Sequence, residues 1–179
     1  MPKLEPLLRL ARACGHTAAV PLEPATLRFL PQVREMCRAD RCRSYGRNWT
    51  CPPACGPVEA FAARAAACRQ GMLVQTVGSL ADSFDWNGMQ AAEALHKRAF
   101  SALLARLREQ DIPFFALGAG ACTLCKTCTY PGAPCRFPER AVPSMEAAGL
   151  WVSDVCEKNA LRYDYSPGGA AFTSCVLFP

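Results

Sequence analysis

The residues best able to do chemistry in this chain are cysteines, and they come in two sets. "GACTLCKTCTYPGAPC", Gly120 to Cys135, places Cys122, Cys125, Cys128 and Cys135 in the order C-x2-C-x2-C-x6-C. Three thiolates at two-residue gaps can wrap three corners of a cubane, with the fourth arriving from further along, as in the ferredoxin pattern. Zinc more often takes two C-x2-C pairs separated by a longer insert. In that arrangement Cys125 would have to serve both pairs, so the spacing favours an iron–sulfur cluster, with zinc as the alternative and structural or redox thiols as a third reading.

The other set lies in "CRADRCRSYGRNWTCPPAC", where Cys37, Cys42, Cys51 and Cys55 follow C-x4-C-x8-C-x3-C. This fits no zinc-finger spacing. Proline after Cys51 fixes the backbone and removes a donor. Four thiols within nineteen residues can close round one centre. Cys55 has a second possible role, as part of the helix that follows. A second cluster is the favoured reading, ahead of zinc and of structure alone. The two sets could also converge on one larger centre.

Arginines and aromatics are interleaved with the first set. A [4Fe-4S] cluster with four thiolates is a net anion, so Arg38, Arg41, Arg43 and Arg47 could tune its potential or dock an acidic partner. A solvated basic loop would look the same in sequence. Tyr45 and Trp49 either shield a cluster from water or, more simply, anchor the loop on the core. Arg41, Arg43, Arg47, Tyr45 and Trp49 are therefore the expected cofactor-side residues.

The remaining cysteines, Cys14, Cys68, Cys156 and Cys175, lie in helical or strand surroundings and read as packing residues. Of the two histidines, His96 sits beside the apolar stripe of a long helix and reads as a satisfied boundary residue. No Ser–His–Asp order, G-x-S-x-G motif or common phosphate-binding glycine loop is present.

The elements that must position these residues alternate along the chain. Helices are expected over Glu5–Ala13, from Pro31 through "PQVREMC", over "PVEAFAARAAACRQ" with Pro57 in its first turn, over Gly88–Gln110, and over Ser144–Asn159. The Gly88–Gln110 helix carries a stripe of Met89, Ala92, Leu95, Ala99, Leu103 and Leu107, with Ser83 or Asp85 able to cap it. "HTAAVPL", "MLVQTV", "IPFFALGAG" and "AAFTSCVLF" read as extended segments. The fold class is α/β or α+β: a small sheet with flanking helices and two cysteine-rich loops. The chain reads as a single domain over residues 1–179, with residues 1–30 as a helical extension packed on it.

Composition narrows the setting. The 179 residues are about half apolar, enough to bury a core. No apolar run reaches membrane length, and the N-terminus alternates charge with leucine instead of forming a signal-peptide core. A cytoplasmic location follows as the expectation. In a reducing compartment, twelve cysteines point to metal or redox chemistry more than to disulfides. The net charge of +5 comes from sixteen arginines and four lysines that are spread along the chain. A nucleic-acid partner would want basic residues interleaved with aromatics over one surface; here they are spread apart from one local knot between Arg34 and Arg47, so such a partner is not expected. A redox partner protein is the expected associate.

Three stretches together, "CRSYGRNWTCPPACG", "GMLVQTVGSLADSFDWNGM" and "GAGACTLCKTCTYPGAPCRFPERAVPSMEAAGLWVSDVCEKNAL", resemble the predicted metal-binding protein family, domain of unknown function 2284. The resemblance runs from about Val33 to the C-terminus. It implies a cysteine-liganded metal centre, iron–sulfur in kind, with the motif falling on Cys37, Cys42, Cys51, Cys122, Cys125, Cys128 and Cys135. It also implies company with anaerobic redox or corrinoid metabolism, and it supplies no reaction. Three functions follow as expectations. The first is a protein with one or two [4Fe-4S] clusters, for electron transfer or as accessory to a redox enzyme. The second is a zinc-stabilised interaction module, and the third an enzyme using a site-differentiated cluster.

Overall fold

The computed structural model describes residues 2–179. Its centre is a four-stranded sheet in the order β1-β2-β4-β3. The strands are β1 (Ala18–Leu22), β2 (Gln70–Ser79), β3 (Phe115–Leu117) and β4 (Gly169–Phe178). Every neighbouring pair is antiparallel, with Leu73 opposite Cys175 in the central pair and Leu117 opposite the same Cys175 on the other side. The fold class is therefore α+β. β1 and β3 are the edges; β1 is interrupted by Pro21, which has no N–H to offer, and β3 is three residues long.

Both faces of the sheet are covered. Side chains alternate along a strand, so Leu73, Cys175 and Leu177 point to one face while Met72, Val74, Val176 and Phe178 point to the other. On the second face lie α1 (Leu4–Ala13) and α4 (Trp86–Glu109), contributing Leu7, Leu8 and Ala11 and then Phe100, Leu103, Leu104 and Leu107. On the first face lie α3 (Val58–Ala66), α5 (Val152–Lys158) and the stretch Met145–Leu150 between loop and helix. A fully buried leucine such as Leu103 or Leu117 contributes about 1.5–3 kcal/mol by burial. Burial on both sides explains why "MLVQ" and "CVLF" read as continuous apolar runs and not as alternating ones.

The expected elements are present, but the helix expected through Gln70 ends at Ala66, with Gln70 already in β2, and there are three further shifts. First, the stripe of α4 is rotated: Leu95 is 44% exposed and His96 is fully buried in its place. His96 pays for burial with both ring nitrogens, Nδ1 lying 3.0 Å from Thr76 Oγ1 and Nε2 2.7 Å from Ser174 Oγ. It is a core residue, not a boundary one. His16 joins the same cluster, with Nδ1 3.2 Å from Thr76 Oγ1 and its ring edge-on to that of His96. Second, the helix expected over Ser144–Asn159 begins at Val152. Gly149 breaks it at φ +94°, and a Cβ there would lie 2.9 Å from the Leu30 carbonyl oxygen. Third, β3 covers only Phe115–Leu117 of the expected "IPFFALGAG". Beyond it Gly118 pairs with Ser144, so the chain leaves the sheet at once.

Capping follows the expected chemistry. Asp85 Oδ1 accepts the Gly88 N–H at 2.8 Å and Oδ2 accepts the Ala81 N–H at 3.1 Å, which fixes the start of α4 and holds this carboxyl below its usual range. α2 (Pro31–Glu35) starts on proline, and a 3-10 turn carries the chain through Met36–Ala39 into the first cysteine loop.

Two outcomes test this core. Burial lowers His16 to about 4 and lowers His96 to about 3, where the charge of His16 adds to the effect. The unfolded chain takes up these protons near pH 6.5 and the folded chain does not. Their stabilisation is thus complete above about pH 6.5 and is lost as pH falls toward 3–4, at about 1.4 kcal/mol per pH unit for each histidine. Denaturant melts between pH 7 and 4.5 should show this slope, and His16→Phe should roughly halve it. Gly149→Ala should destabilise the fold by about 1–3 kcal/mol, since it adds both strain and a clash with Leu30.

Candidate metal centre

The two cysteine loops leave the sheet region next to each other and are joined. In the first loop Asp40, at φ +49°, turns the chain and gathers the loop around its carboxylate. Its Oδ1 accepts the Tyr45 N–H at 2.9 Å, and its Oδ2 accepts from Arg47 at 3.3 Å. Arg43 holds φ +54°, uncommon for a residue with a side chain, and so reverses the chain directly after Cys42. Gly46 N–H donates to the Pro52 carbonyl at 2.8 Å, closing the loop's base. Asn48 accepts twice from Thr50, through N–H at 3.1 Å and hydroxyl at 3.0 Å. Arg34 donates to the Gly56 carbonyl and ties the far end to α2.

The second loop, from Gly118 to Pro143, is closed at its neck. Gly118 N–H donates to the Pro143 carbonyl at 2.8 Å and Met145 N–H donates to the Gly118 carbonyl at 2.9 Å. α4 braces it through Lys97 Nζ, which donates to the Ala121 carbonyl at 2.6 Å and pairs with Glu93, and through Arg108, which donates to the Glu139 carbonyl at 2.7 Å. Inside the loop, Thr129 hydroxyl donates to Pro134 at 2.8 Å and Arg136 to Thr127 at 2.9 Å.

Trp49 links the two loops. Its Nε1–H donates to the Ala133 carbonyl at 3.1 Å, and its ring meets Tyr130 edge-on at 5.0 Å between centroids. Trp49 thus anchors loop to loop; it does not plug the loop into the sheet core.

The sequence-expected site residues fall around two cavities. One, of about 180 Å³, is walled by all four cysteines of the second set, Cys122, Cys125, Cys128 and Cys135. Its opposite wall comes from the first loop and includes Arg43, Arg47 and Trp49. The other, of about 460 Å³, is lined by Cys37, Cys42 and Cys51 with Arg41 and Tyr45. No cysteine is shared between these two cavities. Cys55 lines neither; it packs against the core beside α3, with its thiol 3.9 Å from the Ala147 carbonyl. Of the arginines between the first cysteines, Arg41 lines the cavity of the first set, Arg43 and Arg47 line that of the second, and exposed Arg38 lines neither and pairs with Glu35. Among the described residues, no three His, Cys, Asp or Glu side chains stand close enough to grip a single ion.

The thiols sense one another. Burial pushes Cys122 up, and its neighbours Cys135, Cys125 and Cys128 add to this, while the Leu124 N–H works the other way. Burial likewise pushes Cys51 up to about 11, against hydrogen bonds from Asn48 and Thr50 and with Cys42 and Cys55 adding. Cys37 is raised by burial, then by Cys42, Glu146 and Cys55, against Arg34. Thiols crowded in this way repel as thiolates, and a cation held among them would remove that repulsion. The donor set is soft sulfur with arginines behind it, which fits a thiophilic metal or an anionic iron–sulfur group.

Residues outside the expected set also line the first cavity. Glu146 and Tyr163 face Cys37 and Cys42 across it, with Trp151 at its edge. Glu146 is exposed, though neighbouring protein pushes its carboxyl up, against hydrogen bonds from its own backbone N–H and from Ser144. The motif "PSMEA" marked this stretch, but nothing in its spacing assigned Glu146 to a site. A further cavity of about 680 Å³ continues past Glu146 and Tyr163 to Trp86 and Phe172.

A family model described as predicted metal-binding protein (DUF2284) matches residues 20–178. The chain belongs to this family. Seven of the eight cysteines in the two loops line the two cavities just described, so the family's description and the thiol-lined geometry fall on the same part of the chain. No curated protein and no solved structure matches the chain. No helix among the described residues is long and apolar enough to cross a membrane.

The remaining thiols separate cleanly from these. Cys156 and Cys175 are fully buried, and burial pushes them up to about 11 and about 12. Cys14 and Cys68 are only half-buried at the margins of the core, less enclosed than their apolar sequence surroundings suggest. At pH 8 the folded, metal-free protein should alkylate first at exposed Cys42, while Cys156 and Cys175 stay unlabelled until it unfolds. Peptide mass mapping after a short iodoacetamide pulse reads this order.

Proposed function

We propose that the protein is an iron–sulfur protein that carries two [4Fe-4S]-type clusters in its cysteine loops and serves electron transfer to or from a redox partner. The observation that carries this reading is the cavity walled by Cys122, Cys125, Cys128 and Cys135 together. Its overlapping two-residue gaps suit a polynuclear group, in which each thiolate takes a separate iron. The group would supply one-electron chemistry; the protein supplies four soft donors, a closed loop neck and a cationic wall.

That wall supports the reading electrostatically. Arg43, Arg47, Lys126 and Arg136 line the same cavity as the four thiols. Positive charge beside an anionic cluster favours its reduced form. The same cations offer an acidic partner a place to dock, with the electron entering or leaving at the second loop.

Anaerobically purified protein should be brown, with about eight iron and eight sulfide per chain for two cubanes. Cys125→Ser should lose about half of both while keeping its far-UV circular dichroism. Reduction with dithionite should give electron paramagnetic resonance signals of two reduced clusters in the wild type and of one in the variant. A colourless protein holding stoichiometric zinc after the same preparation would overturn the reading.

A further inference from the structure

The large exposed apolar side chains of this protein are not scattered. Among the described residues there are seven, and four of them, Met36, Trp86, Trp151 and Tyr163, line two adjoining cavities. Single exposed apolar residues are ordinary, but a gathering of them round one hollow marks a surface that a ligand covers. The inner cavity is the 460 Å³ space beside Cys37 and Cys51. The outer one, of about 680 Å³, lies beyond Cys42, and Arg41, Cys42, Gly120 and Tyr163 border both. The outer cavity exists because β3 is short. β3 pairs with β4 over Cys175–Leu177 alone, and the chain turns away at Gly118. The space left beside Ala171, Phe172 and Thr173 is walled by Trp86 from the start of α4, by Tyr163 and by the first cysteine loop.

The lining of the outer cavity is of two kinds. Trp86, Tyr163 and Phe172 bring three aromatic rings to it. A flat ring stacks on such faces whatever its substituents. Arg41 and Arg43 bring charge. Among the described residues neither enters an ion pair, whereas Glu93 on the same lining is matched by Lys97 at 2.6 Å. Glu146 is the other carboxylate there, so two cations stand against one unmatched anion. A guanidinium is a planar fork of donors that fits phosphate or carboxylate. A cavity of this size takes a small organic molecule, not an inorganic ion alone.

We propose that the outer cavity is a binding site for a flat aromatic or heteroaromatic molecule bearing a phosphate or carboxylate and about the size of a mononucleotide, its ring against Trp86 and Tyr163 and its anion toward Arg41. The site stands apart from any metal. The inner cavity is left to the first cysteine set, and of those four thiols only Cys42 borders the outer one. The ligand would nonetheless lie close to both sets. Ala121 walls its cavity, and the next residue, Cys122, lines that of the second set.

The test is anaerobic equilibrium dialysis of the full-length protein as isolated against two pairs of probes, flavin mononucleotide with riboflavin and adenosine monophosphate with adenosine. Each pair shares a ring and differs by the phosphate. Wild type is compared with Trp86→Ala, Arg41→Gln and Trp151→Ala, with circular dichroism as the check on folding. At least one phosphate probe should bind at one molecule per chain, about tenfold or more tighter than its neutral partner. Trp86→Ala should weaken that probe and its partner alike, by about tenfold. Arg41→Gln should weaken the phosphate probe and leave the neutral one unchanged. Trp151→Ala, which alters only the inner cavity, should bind as wild type does. No binding of either phosphate probe up to about 1 mM would overturn the proposal. Equal binding of both members of each pair would do so too. Weakening by Trp151→Ala but not by Trp86→Ala would also overturn it, by moving the site to the inner cavity. Should Arg41→Gln lose iron, Trp86→Ala decides alone. Iron and sulfide counted in the same samples test the cluster reading separately, so neither result settles the other.

Discussion

The pair of backbone hydrogen bonds at Gly118 fixes where the second cysteine loop begins and ends. Gly118 donates to Pro143 and accepts from Met145, so a loop of more than twenty residues leaves the sheet and returns at the same point. Closing such a loop costs conformational entropy that its own short hydrogen bonds do not recover. The core recovers it: Phe115 and Leu117 lie just before the neck and Met145, Ala148 and Leu150 just after, all buried on one face of the sheet. The cysteine loop is therefore an excursion from a packed strand, held at its root by apolar burial.

The same returning segment organises the first loop. Phe29 pairs with Leu150, and Leu30 bonds to Gly149, so the chain entering α2 is laid against the chain leaving the second loop. Glu146 is placed between these two seams, opposite Cys37 and Cys42. Trp49 makes the reciprocal link, from the first loop back to Ala133 and Tyr130. Each loop thus supplies part of the wall around the other's thiols, which is how Arg43 and Arg47 come to face the second set.

Sequence patterns carried much of this and stopped at definite places. The strands and α4 were legible because apolar runs and a 3.6-residue period are local signals. The antiparallel order was not, because strand pairing depends on contacts far apart in the chain, such as Gln70 with Phe178. The cysteines announced themselves by type and spacing. Glu146 did not, since one carboxylate in a turn has no period and the cysteines whose cavity it lines are about a hundred residues away. His96 shows the limit of the apolar stripe: a polar ring took a core position because Thr76 and Ser174, on two different strands, satisfied both nitrogens. Gly149 ended a helix that its neighbours' propensities would have begun, and the reason, the closeness of Leu30, lies on another element.

The edges of the sheet bear on how a thiol-rich protein avoids its own kind. An open strand edge is a template for another chain, and strand addition would set cysteine loops of separate molecules side by side. One edge here is interrupted by Pro21, and the other is three residues long and gives way at once to the Gly118–Ser144 bridge. Little unpaired backbone is left for a second copy to extend. Cross-linking of loops between molecules would then have to begin from chance collisions of exposed thiols, not from a sheet already joined.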